Sequence, residues 1–101
     1  MAVELNRDSI LEVLGANEQT IRALGVRSLA LFGSHARDEG TASSDLDFLV
    51  RLETKTFDSY MDVKEFLESL FSRRVDLVLE SALKERLRDR VLGEAVHAPG
   101  F

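Results

Sequence analysis

The most constraining feature of the sequence is residues 29–51, where two apolar runs flank a polar stretch. The first run, Leu-Ala-Leu-Phe, is continuous and ends at Gly33-Ser34, which is typical of a strand covered on both faces. The second run alternates with a period of two and carries Asp45 and Asp47. The segment therefore predicts two β-strands joined by a polar connection that starts with a glycine-serine turn.

The rest of the chain predicts helices around these strands. Residues 8–24 indicate two short helices, and Ser9 to Glu12 match the capping-box pattern at the start of the first. Apolar residues three and four positions apart indicate a longer helix, which Asp58 or Ser59 would cap. Further elements are a third strand over 73–80, a last amphipathic helix with Leu83, Leu87, Val91 and Ala95 on one stripe, and a loose tail over 96–101. This order of elements predicts an α/β (α+β) fold.

Size and composition limit the classes of protein that fit. A chain of 101 residues suffices for one modest core, so we expect a single domain over 1–101. The net charge of −5 would repel a phosphate backbone, so we expect no direct nucleic-acid binding. The absence of cysteine excludes disulfides, thiolate metal sites and a cysteine nucleophile. No segment resembles a signal peptide or a membrane span, so we expect a cytoplasmic protein without membrane contact.

Three carboxylates lie on two of the predicted strands. Asp45 and Asp47 are two residues apart, so their side chains point to the same face of a strand. Asp76 is a third carboxylate, and it can join them if its strand lies beside theirs. Neighbouring like charges next to apolar residues are costly unless a counter-charge offsets them, and Mg²⁺ prefers carboxylate oxygens with phosphates and water. Any one of these aspartates alone is most simply an exposed strand-end residue; the three together, after a glycine-serine turn, predict a metal site.

The glycine-serine turn suggests a phosphate site next to the carboxylates. Gly33 lets the backbone approach a ligand, and Ser34 is expected to cap a short helix over 35–39. Free N–H groups at such a helix start attract anions, and Arg37, one turn further on, can reach a phosphate or pair with Asp38 or Asp45. A lone glycine-serine pair would be an ordinary capped turn.

Together these residues resemble one family. Gly33-Ser34-x-Ala36-Arg37, then Ser44-Asp45-x-Asp47, and Asp76 on a later strand are similar to the motif of the minimal nucleotidyltransferases (MNT) of the DNA polymerase β-like nucleotidyltransferase superfamily. The resemblance runs from the helix before the first strand to the last helix. It implies a single-domain nucleotidyltransferase fold, in which helices pack on a small mixed β-sheet, and a two-metal transfer of a nucleotidyl group.

The resemblance also implies roles for individual residues. Gly33, Ser34 and Ser44 would bind the nucleoside triphosphate, ATP in this family, and Arg37 would support it. The remaining roles fall to the carboxylates: Asp45 and Asp47 would bind Mg²⁺, and Asp76 would help to bind metal and take the proton of the acceptor hydroxyl. His35 occupies a variable position and His97 lies in the tail, so neither is assigned a role.

Members of this size resemble the antitoxin half of HEPN/MNT toxin–antitoxin pairs. The resemblance implies that the protein transfers AMP from ATP to a tyrosine of a partner HEPN toxin and thereby acts as its antitoxin. Two alternatives remain open at this point. The protein could neutralise its partner by contact alone, through the last helix or the region of Tyr60 and Met61, or it could modify a small-molecule acceptor.

Overall fold

A four-stranded mixed sheet forms the centre of the structure, a computed structural model that describes residues 5–41 and 43–101. The strands lie in the order β3-β2-β1-β4. Strand β1 runs antiparallel to β2 and β4, whereas β2 and β3 are parallel. Their bounds are Val26–Phe32 for β1, Leu46–Leu52 for β2, Val75–Leu79 for β3 and Val96–His97 for β4. The expected α/β (α+β) fold with a small mixed sheet is confirmed.

Helices precede, connect and follow the strands. The bounds are Arg7–Ala16 for α1, Glu18–Ala23 for α2, Phe57–Phe71 for α3 and Glu85–Glu94 for α4, with one 3₁₀ turn at Glu80–Ala82. The α3 crossover joins the parallel strands β2 and β3, which a short hairpin could not do. In the described part of the chain no helix has the length and apolar character needed to cross a membrane.

The main core lies between one face of the sheet and the first three helices. Phe48 in the middle of β2 is fully buried and stacks on Phe71 of α3, with 6.0 Å between the ring centroids. Burying one such large apolar side chain contributes about 1.5–3 kcal/mol. The helices contribute buried apolar side chains to this core, namely Ile10, Leu14, Ile21, Val63 and Leu67. On the opposite face, Ala30 and Leu49 are also buried, as expected for strands covered on both sides.

The predicted helix caps were wrong by two to three residues. Helix α1 is capped by Asn6, whose side chain accepts from the Ser9 N–H at 2.8 Å while Ser9 Oγ accepts from the Asn6 N–H at 3.0 Å. Helix α3 is capped by Thr56, whose Oγ1 accepts from the Ser59 N–H at 3.1 Å. In both cases the sequence offers several polar residues near the helix start, and the residue outside the first turn reaches the free N–H group.

Helix α4 and the tail also differ from expectation. Helix α4 forms, but none of its residues is buried, and Leu87 and Leu92 are each 41% exposed. The tail over 96–101 is not loose, because β4 pairs with β1 and the Ala98 N–H donates to Leu29 O at 2.9 Å. The guanidinium of Arg22 lies 4.6 Å from the centre of the Phe101 ring. Backbone pairing of this kind needs no side-chain pattern, so the sequence gives no sign of it.

Candidate active site

The sheet register brings the carboxylates together. Asp47 on β2 is the register partner of Asp76 on the parallel strand β3, so the two side chains lie side by side on one face. Asp45 lies one residue before β2 and is exposed, as is Asp76, whereas Asp47 is half-buried. On its other side Asp47 pairs with Phe32, the last residue of β1 before Gly33. The predicted acidic residues and the glycine-serine turn therefore meet at one end of the sheet.

The electrostatics of Asp47 show how closely these charges interact. Burial raises the pKa of Asp47 to about 6, and the negative charges of Asp76 and Asp45 act in the same direction. The positive charge of Arg37 acts against this rise. At neutral pH Asp47 is therefore an ionised group at a site that favours a bound proton or cation.

The residues fit a divalent cation that shares its ligands with a substrate. Among residues 5–41 and 43–101, no three His, Asp or Glu side chains are grouped as a complete metal-ligand set. Mg²⁺ commonly takes only one or two protein carboxylates and completes its shell with substrate phosphates and water. The carboxylate oxygens of Asp45, Asp47 and Asp76 are hard donors of the kind that Mg²⁺ prefers. The raised pKa of Asp47 also indicates a position that a cation would stabilise.

Gly33 has a backbone conformation that favours glycine and a neighbour that leaves no room for a side chain. Its φ is +74°, in the left-handed region. A Cβ placed on it would lie 3.0 Å from Asp47 Cγ and would overlap Asp47 Oδ2. The backbone of the turn therefore passes directly against the carboxylate that the metal would use. This close approach is what a site that brings phosphates to a metal requires.

The short helix predicted over 35–39 is absent, so Ser34 caps no helix. The chain instead forms successive turns, in which the N–H groups of Ala36, Arg37 and Asp38 each donate to the carbonyl three residues earlier at 3.2 Å. Asp38 then adopts a left-handed φ of +56°, and its Oδ1 accepts from the N–H of Arg7 at 3.0 Å. This bond joins the end of the turns to the start of α1. Any anion binding here must rely on turn N–H groups rather than on a helix dipole.

Arg37 pairs with two glutamates rather than with the aspartates considered from the sequence. Its Nε donates to Glu39 Oε2 at 3.1 Å, and its Nη1 donates to Glu94 Oε2 at 3.0 Å. The hydrogen bond to Glu39 is the largest cause that raises the pKa of Arg37. Both carboxylates therefore lie against the guanidinium of Arg37, whose positive charge also acts on Asp47.

Ser44 shapes the approach to Asp45. Its Oγ accepts from the Thr41 N–H at 3.1 Å and lies 3.0 Å from Thr41 Oγ1, while its own N–H donates to Thr41 O at 3.1 Å. These bonds close a turn immediately before the first aspartate. The predicted contact of Ser44 with nucleotide stays a prediction.

His35 is a buried residue of the loop after β1 to which no role was assigned from the sequence. It is 2% exposed, and Arg73 Nη1 contacts its Nε2 at 3.1 Å and donates to Thr41 O at 3.2 Å. Burial lowers the pKa of His35, and so does the charge of Arg73, whereas the Asp45 backbone raises it. Nδ1 has no partner of normal hydrogen-bond geometry in the described residues. A neutral His35 therefore joins the loop after β1 to the segment before β3. Gly40 is a local sign of this packing in the sequence, because a Cβ at that position would overlap the imidazole ring.

A separate cavity of about 440 Å³ lies at the opposite end of the sheet. Arg27, Arg51, Lys55 and Arg88 line it, together with Glu53 and Glu80, and none of the predicted site residues does. Arg27 pairs with Glu53 and Arg88 with Glu80, which reduces its positive charge. The convergence of carboxylates, rather than cavity volume, therefore defines the candidate site.

Comparison with known proteins gives consistent results. The family model described as "Nucleotidyltransferase domain" matches residues 10–97. A curated relative, the protein adenylyltransferase MntA of Thermococcus cleftensis, is 37% identical over 95 residues, which are 92% of this chain and 96% of the relative. A solved structure described as a minimal nucleotidyltransferase superposes with a TM-score of 0.81 at 34% identity, covering 94% of this chain and 98% of that one.

Two solved toxin–antitoxin complexes contain chains of the same fold. One is a toxin–antitoxin with AMP-PNP, with a TM-score of 0.68, 23% identity, and coverage of 96% of this chain and 75% of that chain. The other is a tri-AMPylated Shewanella oneidensis HEPN toxin in complex with an MNT antitoxin, with a TM-score of 0.63, 19% identity, and coverage of 90% and 73%. The family match over residues 10–97, the MntA relative and the shared fold establish that this chain belongs to the nucleotidyltransferase domain family, as one of its minimal nucleotidyltransferases.

Proposed function

We propose that this protein transfers AMP from ATP, with Mg²⁺, to a tyrosine hydroxyl of a partner HEPN toxin and so acts as its antitoxin. The observation that carries the proposal is the register of β2 and β3, which sets Asp47 beside Asp76 while Gly33 lies against Asp47. This arrangement can bring a metal-bound triphosphate and an acceptor hydroxyl to one end of the sheet.

Each site residue has a definable part in that reaction. Asp45 and Asp47 would hold Mg²⁺, which when bound neutralises phosphate charge and polarises the reacting oxygens. Arg37 and the turn of Gly33 and Ser34 orient the triphosphate. The acceptor oxygen bonds to the α-phosphorus, the bond from this phosphorus to the β-phosphate oxygen breaks, and pyrophosphate leaves. Asp76, exposed beside Asp47, takes the proton of the acceptor hydroxyl.

The named relatives support the choice of donor and acceptor. The Thermococcus relative is named as a protein adenylyltransferase, and the two complexes pair chains of this fold with AMP-PNP or with an AMPylated HEPN toxin. A macromolecular acceptor also suits a site that is open at one end of the sheet, where Asp45 and Asp76 are exposed. The proposal places the reaction in the cytoplasm, where ATP is made.

Neutralisation by contact alone is a second candidate, and α4 favours it. Leu87 and Leu92 of this helix are exposed apolar residues that a partner could cover. The other region considered from the sequence is less suitable, because Tyr60 packs on the core and its hydroxyl donates to Leu77 O at 2.6 Å.

Co-expression with the partner toxin separates the two candidates. The test variant is Asp45→Asn with Asp47→Asn, and the matched control is Asp58→Asn with Asp62→Asn, which removes two exposed aspartates of α3. Transfer predicts that cells survive with the wild type and the control but die with the test variant. Survival with all three proteins, at equal levels of soluble protein, would favour contact alone. Transfer of adenylate to an added small molecule, with no protein acceptor present, would favour a small-molecule substrate.

A further inference from the structure

Arg37 is held by a carboxylate from a distant part of the chain. Glu94 is the last residue of α4, and its Oε2 accepts from Arg37 Nη1 at 3.0 Å. The Glu94 side chain is 26% exposed, compared with 66% for Glu39, the other partner of Arg37. The ion pair with Glu94 therefore joins the loop after β1 to the end of the last helix.

The two partners of Arg37 differ in their freedom to move. Glu39 lies two residues from Arg37 on the same loop, so it can follow any movement of that loop. Glu94 cannot follow that movement, because the chain after it is held. The Ala95 N–H donates to Val91 O at 2.9 Å, and the next residue, Val96, pairs with Leu31 of β1. The backbone of Glu94 is thus held in place, while its carboxylate lies next to the guanidinium.

A phosphate would compete with Glu94 for the guanidinium of Arg37. Arg37 belongs to the run of turns that starts at Gly33, whose backbone passes against Asp47. The proposed function assigns the metal-bound triphosphate to this turn, so its phosphates would lie on the same loop as the guanidinium. A guanidinium binds a carboxylate and a phosphate with the same planar donors, so the two anions exclude each other at one edge. Arg90 can pair with the displaced carboxylate, because its Nε lies 3.9 Å from Glu94 Oε1.

We propose that Glu94 is a positioning residue whose carboxylate occupies Arg37 until a triphosphate displaces it, so that Glu94 sets the affinity for nucleotide. This inference rests on the proposed function, because it assigns a triphosphate to the site beside Asp47. The exchange also couples nucleotide binding to the end of α4, because displacement of Glu94 breaks its ion pair with the loop after β1.

Titration calorimetry with two probes tests the proposal, namely AMP-PNP and inorganic tripolyphosphate, each with Mg²⁺. Glu94→Gln keeps the size of the side chain and removes its charge, and we expect it to lower Kd about two- to fivefold, the range for a partly exposed ion pair. The matched control is Glu85→Gln at the other end of α4, which removes the same charge without touching Arg37. It should leave Kd nearly unchanged. In an Arg37→Gln background, Glu94→Gln should have no effect on Kd.

A second readout needs no nucleotide. By NMR, the Nη protons of Arg37 should exchange faster with water in Glu94→Gln than in the wild type or in Glu85→Gln. An unchanged or higher Kd for Glu94→Gln would overturn the proposal, as would a decrease that persists in the Arg37→Gln background.

The two proposals fail in different ways. If the wild type binds nucleotide and Glu94→Gln binds it more tightly, but no partner is modified, the proposed function fails and the role of Glu94 stands. If the wild type modifies its partner and Glu94→Gln binds with unchanged affinity, only the role of Glu94 fails. If the wild type binds neither probe, both proposals are wrong.

Discussion

The backbone of Gly33 lies directly against the carboxylate of Asp47, so closely that a Cβ on Gly33 would stand 3.0 Å from Asp47 Cγ. Gly33 follows the last residue of the first strand and Asp47 belongs to the second strand. The antiparallel register of β1 and β2, which pairs Phe32 with Asp47, brings them together. The candidate site thus depends on a glycine for the position of its central acid, and this dependence can be tested.

We expect Gly33→Ala to displace Asp47 and to abolish transfer. A left-handed alanine costs about 1–2 kcal/mol, and overlap with Asp47 adds about 1–3 kcal/mol. Gly25→Ala is the matched control, because Gly25 has φ +95° with nothing within 4 Å of an added Cβ. It should cost about 1–2 kcal/mol and leave transfer intact. Urea unfolding and a transfer assay would measure both effects, and equal loss of transfer in the two variants would contradict this account of Gly33.

Asp47 should destabilise the metal-free protein at neutral pH. The raised pKa of about 6, compared with 3.8, means that the folded state keeps a proton that the unfolded chain has lost. The free energy of unfolding should therefore fall as pH rises through this window. We expect the stability of Asp47→Asn relative to the wild type to increase by about 1–2 kcal/mol between pH 4.5 and 7.5, after allowing for partial exposure.

Urea unfolding in the presence of EDTA would measure this difference. The control is Asp62→Asn, whose aspartate is exposed on α3. If the difference between Asp47→Asn and the wild type were the same at both pH values, the pKa of Asp47 would not be raised in the folded protein.

His35 should have the opposite dependence on pH. Its folded pKa is lowered from 6.5 by burial and by Arg73, so the folded state binds fewer protons than the unfolded chain below that pH. Its contribution to stability should be complete above about pH 6.5 and should be lost as pH falls. We expect His35→Gln to cost about 1–3 kcal/mol at pH 7.5, with a smaller cost at pH 5. Unfolding of both proteins at the two pH values would show this, and a cost that grows at pH 5 would contradict it.

Tyr60 should matter for stability and not for antitoxin activity. Its hydroxyl donates to Leu77 O at 2.6 Å, so Tyr60→Phe leaves a half-buried carbonyl without its partner. We expect a loss of about 1 kcal/mol in the free energy of unfolding. Protection of cells that express the partner toxin should be unchanged. Loss of protection by a protein that is still folded would instead place Tyr60 at the partner surface.

The sequence predicted what depends on local pattern. The alternation predicted a second strand that carries Asp47 on the face opposite Phe48, and the continuous run before Gly33 indicated a strand buried on both faces. Both features are present, although Asp45 lies one residue before the strand. The position of Asp76 beside Asp47 depends on the parallel pairing of β2 and β3, which no local pattern determines.

Features that arise from distant contacts could not be predicted. Asp38 binds the start of α1, and the residues before it form turns where the pattern predicted a short helix. His35 lies against Arg73 and Gly40, and no periodic pattern in the sequence indicates either contact. The pairing of Arg37 with Glu94 spans 57 residues, so the motif alone suggested only nearby partners.

The central claim is that this chain transfers adenylate to a partner HEPN toxin. The most direct measurement is the intact mass of that toxin after incubation with the protein, ATP and Mg²⁺, with the Asp45→Asn/Asp47→Asn variant as the control. We predict that the toxin gains the mass of one or more adenylates with the wild type only, and that the modified residue is a tyrosine. A toxin of unchanged mass that still co-purifies with the protein would contradict the claim and leave neutralisation by contact as the better account.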